Sequence, residues 1–151
     1  MSGKRIRLVS YAVALATGLA CDAPAGPASL LQISGSVVVF LTQTEIPSAM
    51  MDALLEQPVA RDHAGCLRAP PDNHTIIWPK GFTLDPAGGT LIVRDSSGRS
   101  IGRIGEPFKL GGGEVASLHD GIALSDADRE LAHTRCPGRY WIVGEATPAT
   151  S

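Results

Sequence analysis

Short runs of β-branched and aromatic residues, each closed within a few positions by glycine, proline or aspartate, set the limits on what this chain can fold into. Ser36–Thr42 (SVVVFLT), Thr75–Trp78 (TIIW), Thr90–Arg94 (TLIVR), Arg99–Ile104 (RSIGRI), Pro107–Leu110 (PFKL) and Arg139–Val143 (RYWIV) all carry the pattern. They predict strands, because branched and aromatic side chains fit a pleated, half-buried surface. Asp95-Ser-Ser-Gly98 between two of them predicts a hairpin turn, with Gly98 where the backbone needs positive φ. Gly111-Gly-Gly113 predicts the end of the PFKL strand. With 17 glycines and 11 prolines in 151 residues, strands joined by turns are favoured over long helices.

Helix signals are few. Ser125 can cap a helix whose first turn holds Asp126 and Asp128, acids that favour the positive end of its dipole, and the run would reach about Ala132. Ser48–Glu56 (SAMMDALLE) is ambiguous between a helix and a strand near Leu54–Val59. The expected fold is all-β, a small barrel or compact sandwich with one or two short helices on a single core. By length, residues 34–147 make one domain, with 148–151 as a disordered tail.

The first twenty residues have a different character. Lys4, Arg5 and Arg7 precede an uncharged apolar stretch, Leu8–Leu19, and small residues lead into Cys21. This is the layout of a bacterial export signal, with an apolar core too short for the roughly 20 residues of a spanning helix. Gly18 and Ala20 permit ordinary cleavage before Cys21, and Thr17-Gly18-Leu19-Ala20-Cys21 is similar to a lipoprotein lipobox, with leucine one place nearer the cysteine than usual. Three cysteines, Cys21, Cys66 and Cys136, leave an odd thiol that acylation of Cys21 would resolve. The expectation is therefore signal peptide 1–20, flexible tether 21–33 and a membrane partner reached through lipid on Cys21. Loss of Lys4, Arg5 and Arg7 changes 13 basic against 15 acidic residues into 10 against 15, a formal net charge of −5. No Lys/Arg cluster remains to neutralise phosphates, which argues against nucleic acid as a partner.

Cys66 and Cys136 would form a disulfide in an oxidising compartment. The competing reading is structural zinc: His63 and His133 each lie three residues before a cysteine, and two His with two Cys suffice for a tetrahedral site. The two readings exclude each other. Arg68, Trp78, Phe82 and Trp141 form a candidate ligand surface, since exposed tryptophan beside arginine can stack on sugars, peptides or flat ligands; the alternative is that the aromatics are core. Tyr140 and Trp141 are adjacent in a strand, so one should face inward and the other outward. Leu110-Gly-Gly-Gly-Glu114 lacks the spacing and the Lys-Ser/Thr of a phosphate loop, and no cofactor is expected. Ser117, His119 and Asp120 lie close in sequence without forming a catalytic motif, so an envelope hydrolase is the weakest reading.

Gly65-Cys-Leu-Arg68, Trp78-Pro-Lys-Gly-Phe82, Leu110-Gly-Gly-Gly-Glu-Val115 and Cys136-Pro-Gly-Arg-Tyr-Trp-Ile-Val-Gly144 together resemble a group of small bacterial exported proteins with the pattern GCLR…WPxGF…GGGE…CPGxYWxVG. The resemblance spans about residues 60–145. It implies an OB-like barrel, with Cys66 and Cys136 as the cysteine pair of the pattern and Glu114–Cys136 as an insertion, and it implies no activity. His63 and His133 lie outside the pattern. The functional expectation is an envelope binding or interaction module.

Overall fold

The computed structural model describes residues 29–46, 53–119 and 121–149. The signal peptide, Cys21, residues 22–28 of the tether, residues 47–52, Asp120 and the last two residues lie outside the described residues. In chain order the strands are β1 (Leu30–Ile33), β2 (Ser36–Val39), β3 (Leu41–Thr42), β4 (Ala53–Pro58), β5 (Ala60–Arg61), β6 (Leu67–Ala69), β7 (His74–Trp78), β8 (Thr83–Ala87), β9 (Thr90–Arg94), β10 (Ser100–Arg103) and β11 (Pro107–Val115). Helix α1 (Asp126–Arg135) and strand β12 (Tyr140–Pro148) complete the order. The fold is all-β, as the strand-and-turn pattern requires.

The largest sheet runs β4-β11-β12-β7-β6-β5, with β3 pairing β7 as well. Two smaller sheets, β1-β2 and β10-β9-β8, stand beside it. β12 lies between β11, antiparallel, and β7, parallel. The first part of β7 pairs with β6 and the last part with β3. His74–Trp78 is therefore a central strand, and all five of its residues are buried.

Period-two alternation explains how one sheet serves two cores. Ile76 and Trp78 of β7, Trp141 and Val143 of β12, and Val38 and Phe40 point into one apolar cluster with Phe108, Val93 and Ile101. Their neighbours Ile77, Tyr140, Ile142, Val39 and Leu41 point into the other, with Ala132, Leu124 and the two cysteines. Tyr140 and Trp141 do take opposite faces, yet neither reaches solvent, because α1 and its flanking loops cover the second face.

Local chemistry sets the hairpins. Ser34-Gly35 and Gly88-Gly89 are two-residue connections with φ of 50° and 77°, and of 57° and 83°, the signs that match strand twist. At the predicted Asp95 turn, Gly98 N–H donates to the Asp95 carbonyl, and the Asp95 carboxylate accepts from Ser97 N–H, Ser97 Oγ and Arg99 N–H. Ser125 caps α1 as expected, its hydroxyl accepting from the Asp128 amide.

Three sequence expectations need correction. Gly111–Gly113 does not end a strand; β11 continues through it to Val115, with a bulge opposite β12 between Gly111 and Gly112. A side chain at Gly112 would overlap the Ile142 carbonyl, so Gly112 permits close backbone approach within a continuing strand and is not a turn. The tether is shorter than 21–33, because Leu30–Ile33 pairs with Ser36–Val39. The domain reaches past 147, since Pro148 pairs with Phe108. The region near Leu54, ambiguous in sequence, is strand, β4 pairing with β11.

Candidate functional site

The structure separates the four residues of the expected ligand surface. Trp78 is 0% exposed; it stacks on Phe40 and Phe82 with ring centroids 5.6 and 6.4 Å apart and meets Phe108 edge-on. Trp141 is also buried, edge-on to His74 at 5.7 Å. Neither indole offers a face to a ligand, because a core with few other large side chains needs both. Phe82 is half-buried.

Arg68 is engaged inside the protein. Its guanidinium donates to Asp62 Oδ2 at 2.8 Å, to the Asn73 carbonyl at 3.0 Å and to the Pro137 carbonyl at 3.1 Å. Asp62 Oδ1 accepts from the amides of Ala64 and Cys66, both at 2.9 Å. Burial alone would raise the Asp62 pKa; the Arg68 hydrogen bond and charge and the two amides outweigh it and hold the carboxyl below its ordinary 3.8. A lowered carboxyl pKa stabilises the fold above the unfolded value, and that contribution disappears as pH falls through the folded one. Asp62→Asn should therefore flatten the acid limb of stability, read as the urea midpoint between about pH 6 and pH 2. An acid limb as steep in the variant as in the parent chain would contradict this.

A second polar group lies at the start of β7. His74 is 3% exposed, and its Nε2 is 2.8 Å from Glu114 Oε2, while Arg139 holds Glu114 Oε1. Asp72 brings a third donor near, so that Asp72, His74 and Glu114 offer atoms within 4.8 Å of one another. Both Glu114 oxygens are already occupied. His74 Nδ1 is buried without a partner, so a proton on Nε2, donated to Glu114, avoids an unsatisfied buried N–H. The Glu114 carboxylate is thus served from within, by Arg139 as its ion-pair partner and by the His74 hydrogen bond.

Cys66 and Cys136 form a disulfide with Cα atoms 5.7 Å apart, both fully buried. It joins the residue before β6 to the C-cap of α1. The zinc set is thereby corrected: the sulfurs are bonded to each other, and His63 and His133 are exposed. Ser117 and His119 are exposed too, and no hydrogen bond joins them; His119 Nδ1 instead accepts from the amide of Gly121 in its own loop.

A cleft with a buried charged group lies elsewhere. A cleft of about 360 Å³ opens between β1, β3, β8 and the first turn of α1. Leu31, Phe40, Phe82 and Leu84 form its apolar lining, Ser29, Thr42 and Thr83 bring hydroxyls, and Asp128 brings a carboxylate. Asp128 is 8% exposed, and its Oδ1 is buried with no hydrogen-bond partner. A larger cleft of about 620 Å³, beside Ile33, Arg61 and Leu91, has no buried residue among those described in its lining. Phe82 belongs to the expected ligand surface and lines this cleft; Asp128, expected as a helix-dipole acid, is buried and shares the cleft with β1 and β8, far away in sequence. No family model matches the chain, and no curated protein or solved structure matches it either.

Proposed function

We propose that this chain is an exported bacterial envelope protein, lipid-anchored through Cys21 or released, whose β-domain is a binding module. The observation that carries the binding role is the cleft at Phe82 and Asp128, beside which a buried carboxylate oxygen has no hydrogen-bond partner among the described residues. Buried polar groups are normally satisfied, so an exception calls for an explanation, and a carboxylate bordering a cleft has one in a bound group. The buried Cys66–Cys136 bond supports export, since structural disulfides persist in oxidising compartments. With those two thiols paired, Cys21 is the odd one, as lipid attachment there requires. No helix among the described residues is long and apolar enough to cross a membrane, so the lipid would be the link.

Intact mass spectrometry of the protein from its native membrane fraction tests location and covalent state together. The expected species begins at Cys21, carries acyl mass there and shows the mass deficit of one disulfide. Retention of residues 1–20 would overturn the export reading, and an unmodified Cys21 in a membrane-bound species would overturn the anchor.

A further inference from the structure

We propose that the cleft between β8 and the first turn of α1 binds a small organic ammonium ion, a protonated amine carried on an apolar body. This deepens the binding-module reading and rests on it. None of the described residues lining the cleft is lysine, arginine or histidine, so among them Asp128 is the one charged group and has no counter-ion. A helix-dipole role explains an acid in this turn but not its burial, because Asp126 fills that role from an exposed position. Leaving a carboxylate oxygen dry and unpartnered is costly. A cationic N–H group seated in the cleft, against the part of the carboxylate that stays accessible, would offset that cost.

The rest of the lining selects the same chemistry. Phe40 and Phe82 present aromatic rings, whose negative faces attract cations. Leu31 and Leu84 match an apolar body, and the hydroxyls of Ser29 and Thr42 can accept further N–H groups. A volume of about 360 Å³ suits a small molecule. An anionic ligand would meet a like charge.

Calorimetric titration of the oxidised full-length chain tests this with the primary ions phenethylammonium and hexylammonium, with trimethylphenylammonium as a cation that has no N–H, and with 2-phenylethanol as the uncharged counterpart. At least one primary ammonium ion should bind, about tenfold or more tighter than the alcohol, and Asp128→Asn should abolish that advantage. Phe82→Leu keeps the carboxylate and should weaken ammonium binding several-fold, which preserves the test if Asp128→Asn disturbs the helix. Equal binding of amine and alcohol would overturn the ammonium assignment while leaving the cleft as a binding site. Unchanged ammonium affinity in folded Asp128→Asn would overturn it too. If none of the four probes bound, the ligand assignment would fall, and the mass measurement would still decide export and anchoring separately.

Discussion

Replacing Cys66 and Cys136 together by alanine is expected to lower stability by about 4 kcal/mol, from the chain-entropy relation for a cross-link spanning 70 positions. That is a large part of the roughly 5–15 kcal/mol that holds a typical domain together. The disulfide matters to the unfolded chain, whose freedom it restricts, and to the native one, where it fastens the end of α1 to the sheet beside β6. Both sulfurs lie in the core that Ile77, Tyr140 and Ile142 build. Chemical denaturation of the double variant against the parent chain measures the difference. Because the sulfurs are fully buried, reductant should leave the folded parent intact and act only once denaturant opens it. A double variant within about 1 kcal/mol of the parent would show that helix and sheet hold each other without the cross-link.

Trp78→Ala should be of comparable size, about 3–5 kcal/mol, since it removes the largest fully buried side chain and leaves a cavity among Phe40, Phe82 and Phe108. Trp78→Phe should cost less, because it keeps most of the stack and removes an indole N–H that is buried without an acceptor. Thermal and urea unfolding of both variants would measure the order. A stable Trp78→Ala protein would return this residue to the surface role that sequence alone allowed it. If Trp78→Ala and the double cysteine variant were combined, the summed loss should leave little folded protein.

Much of the strand pattern was legible because its signals are local. Thr90–Arg94 matches β9, Asp95 and Gly98 make the turn they promise, and Ser125 caps the helix. These outcomes depend on φ preferences and on hydrogen bonds between near neighbours. Gly111–Gly113 misled because glycine is used both for turns and for close approach of backbones, and only the position of β12 distinguishes the two. Leu30–Ile33 was hidden by the Ala/Pro-rich segment before it, although Ser34-Gly35 carried a hairpin signal.

The aromatic residues show the same boundary. Tyr140 and Trp141 alternate as any strand demands, but a sheet covered on both faces has no outward side for either. Arg68 has the chemistry of a ligand contact, yet it is spent on Asp62, Asn73 and Pro137, which the fold brings around it.

From sequence alone came the all-β class, the turns and the helix start, because each follows from the steric and hydrogen-bonding preferences of a few consecutive residues. Tertiary structure alone decided which aromatics are core, that the expected disulfide and not the zinc set is formed, and that Asp128 is buried beside a cleft it shares with β1 and β8. Burial is a property of what packs on a residue from elsewhere in the chain, and that information is distributed over the whole fold.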